Sequence, residues 1–183
     1  IPVEKYNPDE AKRLLSEAGY PNGFGLTIHG PNNRYVNDSK IVQAVGQMLS
    51  RIGLTIKVDT MPRAAYFPKI NVKNGVEFSL GLLGWGNTPY PASGHLGLMH
   101  CTKGNYNRSG YCNSKYDQMI DDAVSTVDDS ERELKEMKAV KLAMDELAVI
   151  PLHVQYTILA GRKGINYSPR ADERTEAMNA SPE

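Results

Sequence analysis

The sequence is poor in the features that mark most catalytic and membrane proteins. It has two cysteines, one tryptophan and a formal net charge of zero, with 21 basic and 21 acidic residues. Balanced charge provides no electrostatic footprint for nucleic acid or an anionic membrane, so we expect no nucleic-acid partner. No apolar run approaches the roughly 20 residues that a membrane-spanning helix needs. Because nucleophile and cofactor motifs are also missing, we expect a protein that binds rather than catalyses, without a cofactor.

Length and composition indicate one folded unit. The 183 residues suit one globular domain, or one lobe of a larger protein, and the hydrophobic and charged fractions of 40% and 23% are ordinary. The chain begins at Ile1 with neither an initiator methionine nor a signal peptide. This start favours a processed product or an excised piece.

Helical and strand patterns alternate along the first half of the chain. The predicted helices cover residues 8–18, 38–52 and 62–71, and the predicted strands cover residues 24–28, 54–58 and 77–83. The last of these strands is apolar on both faces, which predicts a central, parallel position. His29 is placed on a polar face and given no role. Strand–helix–strand order implies right-handed parallel crossovers, so the fold class is α/β.

Two further helices are predicted in the second half of the chain. One covers residues 115–127, and Asp128 caps a longer one. The longer helix carries a stripe that we interpret as packing, formed by Leu134, Met137, Val140, Met144 and Leu147. An extended run at residues 150–156 follows. The polar tail from Gly161 has no apolar stripe, so it needs another surface to hold it.

The most informative segment is the apolar run SLGLLGWGNT at residues 79–88. Its apolar part ends at the only tryptophan, Trp85, which lies between two glycines. A loop rich in glycine and proline follows. A buried strand that ends this way is a common means of building a ligand cleft in an open α/β sheet. An indole can stack on apolar solute surface, and Gly86 would let a ligand approach the backbone. The alternative is that Trp85 is a core anchor.

The two cysteines, Cys101 and Cys112, lie in the loop that follows. A disulfide between them would close a short loop and place the protein outside the cytoplasm. Free thiols are a second possibility, and a metal site with His95 and His100 is a third, although the spacing does not match paired zinc ligands. We predict the disulfide and no metal site.

Four segments together resemble one family. They are YNPDEAKRLLSEAGYPNGF (6–24), LLGWG (82–86), YNRSGYCN (106–113) and RKGINYSPRADER (162–174). In this order they are similar to the second lobe of the solute-binding proteins of peptide and nickel ABC importers. The resemblance implies a periplasmic-binding-protein-like lobe over residues 1–150. It also implies a hinge-crossing strand and tail over residues 151–183, which would pack on a first lobe that is missing.

The resemblance also implies solute contacts. Trp85 and Gly86 match the family's cleft edge, and Asn87, Thr88 and Tyr90 follow it. Arg34 matches an arginine that pairs with a solute carboxylate, although a solvated surface arginine is the alternative. Many members carry an acid after the tryptophan for the solute's amino group, whereas this chain has none between Trp85 and Cys101. Its absence weakens the case for a dipeptide with a free amino terminus as the solute and leaves longer peptides, glycosides, opines and metal chelates open.

The function implied is capture of a peptide or related solute between two closing lobes and delivery to a membrane permease. Such a protein is periplasmic, or extracellular and membrane-associated, in a bacterium. The isolated chain is then expected to bind solute weakly or not at all. A thiol-dependent hydrolase and a protein-interaction lobe without solute binding are the alternatives.

Overall fold

The computed structural model describes residues 5–70, 78–86, 94, 97–156, 158–170 and 175–182. Its helices are α1 (Pro8–Glu17), α2 (Asp38–Ser50), α3 (Arg63–Lys69), α4 (Ser114–Ser125) and α5 (Asp129–Asp145). Its strands are β1 (Gly25–Pro31), β2 (Thr55–Met61), β3 (Leu80–Gly81), β4 (Ile165–Tyr167) and β5 (Ala180–Pro182). Within these ranges no helix combines the length and the apolar character needed to cross a bilayer.

Local capping decides where α1 and α5 begin. The Asn7 side chain accepts a hydrogen bond of 3.1 Å from the backbone N–H of Glu10 at the start of α1. The Asp128 carboxylate does the same for the N–H of Glu131, at 2.8 Å, at the start of α5. Both caps satisfy an amide that has no partner within the helix. These two helix starts were predictable from the sequence, and the structure confirms them.

The three strands β2, β1 and β3 form a parallel sheet in that order, with β1 in the middle. The α/β prediction is confirmed, but the predicted central position of the third strand is wrong. Within the described residues β3 has two residues and pairs only with β1, and Glu77, the first residue of the predicted strand, lies outside them. The apolar character of this segment has another cause, because Leu83 lines a pocket.

Close approaches hold α2 and α3 against the sheet. Val42 of α2 is buried over Gly30 of β1, where a Cβ atom would lie 2.4 Å from the valine Cγ2. Gly46 leaves similar room for Val58 of β2. Tyr66 of α3 is fully buried beside the β1–β3 pair. A side chain at either glycine would push the helix from the sheet, so the glycines set the spacing.

Helices α4 and α5 pack together around a separate group of buried side chains. Its members are Met99, Tyr116, Ile120, Ala139, Ala143 and Ala148. The predicted stripe of α5 is wrong in part, because Leu134, Met137 and Leu147 are exposed. The small side chains of Ala139 and Ala143 face α4 instead, which lets the bulky Tyr116 ring fit between the two helices.

The last part of the chain lies largely on the surface. Residues 151–156 form no β-ladder and are exposed, and the hinge-crossing strand stays a prediction. Strands β4 and β5 pair with each other in an antiparallel ribbon and not with the main sheet. The division into residues 1–150 and 151–183 stays a prediction.

Candidate functional site

A pocket of about 170 Å³ brings Arg34 and Trp85 together, although they are distant in sequence. Arg34 comes from the loop after β1 and Trp85 from the segment after β3. The remaining lining residues are Tyr35, Phe67, Leu83, Gly84, Tyr106 and Arg108. The combination of aromatic faces with a few polar groups is typical of small-molecule sites.

A larger, open hollow of about 620 Å³ lies along α2 and β2. Its lining is mostly amide, hydroxyl and small aliphatic groups, and it includes none of the residues predicted to bind solute. Its apolar surface comes from Ile56 and Val58 and its charge from Arg51, and the lining has no aromatic ring on which a solute could stack. The smaller pocket beside Trp85 is therefore the better candidate.

The segment that carries Trp85 is held in place through both backbone groups of Leu82. The Leu82 N–H donates to the carbonyl of His29 at 3.0 Å, and its carbonyl accepts from the Tyr66 hydroxyl at 2.9 Å. Burial raises the pKa of Tyr66, so the hydroxyl stays protonated and can donate. Three residues later Trp85 is 40% exposed and packs edge-on against Tyr106, with ring centroids 5.4 Å apart. Trp85 is thus presented at the surface and is not a core anchor.

The loop carrying Arg34 and Tyr35 is organised by Asp38, the first residue of α2. The buried Asp38 carboxylate accepts from the backbone N–H groups of Arg34 (2.8 Å), Tyr35 (3.0 Å) and Ser39 (2.8 Å). Burial alone would raise the pKa of Asp38, but these three donors outweigh burial and lower it. Asp38 is therefore a carboxylate at neutral pH and holds the loop in place.

Tyr35 packs against the Trp85 segment, and Arg34 lies over the Tyr35 ring. The Tyr35 hydroxyl donates to the carbonyl of Gly84 at 3.4 Å, and a Cβ atom at Gly84 would lie 2.5 Å from the Tyr35 ring. Only glycine allows the ring to lie this close to the backbone. The Arg34 guanidinium carbon lies 4.8 Å from the centroid of the Tyr35 ring, which is a cation–π arrangement.

A disulfide-closed loop supplies Tyr106 and Arg108. The structure joins Cys101 to Cys112, which confirms the predicted disulfide and leaves no free thiol. Inside the loop, buried Asn107 donates to the carbonyl of Tyr111 at 2.7 Å and accepts from the N–H of Gly110 at 3.1 Å. These bonds fix the backbone between Tyr106 and Arg108.

Residues at the end of this loop are tied to α5. The Tyr111 hydroxyl donates to the Glu146 carboxylate at 2.6 Å, and the Asn113 amide donates to it at 2.8 Å. Burial and the neighbouring Glu146 raise the pKa of Tyr111 to about 12. The same two donors lower the pKa of Glu146. The loop is therefore anchored at both ends, by the disulfide and by α5.

Six residues of the pocket lining were not among the predicted solute contacts: Tyr35, Phe67, Leu83, Gly84, Tyr106 and Arg108. The segment NYNR at 105–108 did carry a signal, since an aromatic and an arginine alternate inside a loop bounded by cysteines. Gly86 is exposed, with no described heavy atom within 4 Å of a Cβ position there. Asn87, Thr88 and Tyr90 lie outside the described residues.

His29 does not lie on a polar face as predicted. It is buried and stacks on Phe78, with ring centroids 3.8 Å apart, and its Nε2 lies 3.8 Å from an Asp59 carboxylate oxygen. Strand alternation suggested exposure, but the aromatic ring of Phe78 covers that face of the sheet. Burial lowers the pKa of His29 despite the opposing effect of Asp59, so the ring is neutral at pH 7.

Residues 1–107 match the model of a protein family described as "Bacterial extracellular solute-binding proteins, family 5 Middle". Among curated proteins, the chain is 26% identical over 166 residues to the glutathione-binding protein GsiB of Escherichia coli (strain K12). That match covers 87% of this chain but 32% of the relative, so the chain spans about a third of the relative's length.

Two solved structures with bound peptides have the same fold. The periplasmic binding protein DppA from Helicobacter pylori, in complex with the peptide STSA, aligns with a TM-score of 0.72 and 25% identity, over 81% of this chain and 29% of that one. A dipeptide-binding protein from Pseudoalteromonas sp. SM9913, in complex with Met-Leu, aligns with a TM-score of 0.71 and 25% identity, over 78% and 29%. The matched proteins are solute-binding proteins and not enzymes.

Proposed function

Since this chain belongs to family 5 of the bacterial extracellular solute-binding proteins, we propose that it forms one lobe of a peptide-binding protein that serves an ABC importer. The solute is a peptide or a related small molecule, held beside Trp85 and then delivered to a membrane permease. The protein acts outside the cytoplasm at the bacterial membrane. The chain is a binding protein and not an enzyme, and a thiol-dependent mechanism has no free thiol to use because both cysteines are in the disulfide.

The observation that carries this proposal is the convergence of Arg34, Trp85 and Tyr106 on one pocket. A guanidinium group can hold a peptide carboxylate through two parallel hydrogen bonds. The Trp85 and Tyr106 rings offer apolar surface for a side chain of the solute. The names of the relatives support the same class, since GsiB binds glutathione and two structural neighbours hold peptides.

The pocket is half of a binding site in this proposal. Its volume of about 170 Å³ lies below the roughly 300–1,000 Å³ of a typical ligand cavity, and the chain spans about a third of its relatives. We propose that a first lobe closes over the pocket and that bound solute stabilises the closed state through contacts with both lobes. Residues 151–183 would cross to that lobe and pack on it.

The proposal predicts that this chain alone binds solute more weakly than a protein with both lobes. A solute held at a Kd of about 1 μM by two lobes is bound by about −8 kcal/mol, so half of those contacts give about −4 kcal/mol and a Kd of about 1 mM. Calorimetry with glutathione and short peptides should show micromolar binding by the full-length protein, which contains both lobes in this proposal. It should show millimolar binding by the 183-residue chain alone.

Two outcomes would refute the proposal. Micromolar affinity of the 183-residue chain alone would show that the site is complete without a second lobe. Failure of the longer protein to bind any peptide, while it remains folded, would remove peptides as the solute class.

A further inference from the structure

We infer that the Trp85 pocket selects solutes with two anionic groups, one bound by Arg34 and the other by Arg108. This inference rests on the proposed function, since it concerns the solute of the same site. It adds a binding role for Arg108, which comes from the disulfide-closed loop. Arg34 comes from the loop after β1 and lines the same pocket.

The charged side chains that line the pocket are all positive. Arg34 and Arg108 are the charged residues of its lining, which includes no carboxylate. The sequence has no acidic residue between Glu77 and Asp117, a segment that supplies Leu83, Gly84, Trp85, Tyr106 and Arg108. Two positive charges close together repel each other unless an anion compensates for them. The local composition therefore favours an anionic solute over a neutral or cationic one.

Neither guanidinium is neutralised by the described part of the chain. The ion pairs formed by arginines there involve Arg13, Arg132 and Arg170. Asp38 is the acid nearest to Arg34 in sequence, but both of its oxygens accept backbone N–H groups. Lys103, in the same loop as Arg108, differs because it pairs with Asp121 at 2.6 Å. Arg51, Arg63 and Arg162 also form none of these ion pairs, so what distinguishes Arg34 and Arg108 is that both line the Trp85 pocket.

Both guanidinium groups are oriented before any solute binds. Arg34 lies over the Tyr35 ring, and the Arg108 guanidinium carbon lies 5.8 Å from the centroid of the Tyr106 ring. Stacking uses the face of the guanidinium plane and leaves its N–H edge free to donate. The Arg108 backbone is fixed by Asn107 and the disulfide, so less freedom is lost on binding.

The absence of an acid near Trp85 fits the same solute class. A site that recognises a free amino group needs a carboxylate, and none is present from Trp85 to Cys101. With two cations and no anion, this lobe recognises acidic groups, and the amino end of a peptide is left to the other lobe. An acidic dipeptide, or a tripeptide with a second carboxylate, has the required chemistry.

A pair of isosteric dipeptides tests the inference directly. Ala-Glu has two carboxylates, whereas Ala-Gln has one and the same shape. Titration of the ¹⁵N-labelled chain, followed through the indole N–H of Trp85, should show Ala-Glu binding about tenfold or more tightly than Ala-Gln. In Arg108→Gln this preference should vanish, because the second carboxylate of Ala-Glu loses its partner. The control Lys103→Gln, which removes a charge outside the pocket lining, should retain the preference.

Each outcome has a distinct meaning. Equal affinity for the two dipeptides in the wild-type chain overturns the inference and leaves the proposed function standing. No movement of Trp85 with either dipeptide overturns the inference, and peptide binding by the longer protein then decides the proposed function separately. An unchanged preference in a folded Arg108→Gln variant overturns the role of Arg108. If that variant lacks a native spectrum, Arg108→Met replaces it, since it removes the charge and keeps most of the aliphatic stem, and an unchanged preference in that folded variant overturns the role of Arg108.

Discussion

Asp38 is the single residue on which the geometry of Arg34 and Tyr35 depends most. Its two carboxylate oxygens accept three backbone N–H groups, and the side chain is buried. Aspartate is required here because all three partners are donors. An amide in its place would direct an NH₂ group at one of them.

We therefore expect Asp38→Asn to destabilise the chain by about 1–3 kcal/mol, the cost of leaving a buried donor without an acceptor. The solute affinity should fall with it, because Arg34 loses its anchor. Thermal and urea unfolding measure the first effect, and titration of Trp85 measures the second. Asp9→Asn is the control, since Asp9 is an exposed acid in the first turn of α1 and should cost only tenths of a kcal/mol.

Asp38 also makes the unfolding free energy of the chain depend on pH. The pKa of Asp38 is lower in the folded chain than in the unfolded chain, where it is about 3.9. Its contribution to stability is therefore complete above the unfolded value and is lost as pH falls through the folded value. The unfolding free energy of the wild type should decline more steeply than that of Asp38→Asn below about pH 4. Parallel pH profiles of the two proteins would show that Asp38 is not a stabilising carboxylate.

Among the elements, the loop from Cys101 to Cys112 connects stability with binding. It carries Tyr106 and Arg108 at its middle, and Tyr111 and Asn113 attach its end to Glu146 after α5. A cross-link that closes a loop of this length stabilises the folded state by about 3 kcal/mol in the chain-entropy model. The loop thus holds one wall of the pocket against the α4–α5 pair.

Replacement of both cysteines, Cys101→Ala with Cys112→Ala, should lower the unfolding free energy by about 3 kcal/mol. It should also weaken solute binding under conditions where the chain remains folded, because Arg108 is no longer held in place. Calorimetry and unfolding of the double variant measure both effects. Full affinity in a folded double variant would show that the disulfide serves stability alone.

Elements that depend on local chemistry could be predicted from the sequence, and those that depend on tertiary partners could not. The starts of α1 and α5 follow from Asn7 and Asp128, which act within one turn. The buried face of α5 depends on Tyr116 of α4, and the cover over His29 depends on Phe78. The candidate site divides in the same way, since Arg34 and Trp85 lie in recognisable segments, whereas Tyr106 and Arg108 reach the pocket through loop closure.

As a whole, the molecule presents an open pocket and an exposed apolar end. Val154, Tyr156 and Ile158 are 77%, 83% and 93% exposed, close to one another in sequence. Isolated surface hydrophobics are ordinary, but a contiguous set marks a surface that binds another surface. In the proposed function, the first lobe is the surface that would cover these side chains.

The indole N–H signal of Trp85, the only tryptophan, gives the most direct test of whether this chain holds half of a solute-binding site. The indole of Trp85 gives one N–H cross-peak in an ¹⁵N-resolved spectrum of the 183-residue chain. Titration with glutathione and with Ala-Glu should move this cross-peak saturably, with a Kd of about 1 mM. The proposal of a solute half-site beside Trp85 fails if the peak stays in place at saturating millimolar peptide, or if the shifts centre on the hollow along α2 and β2.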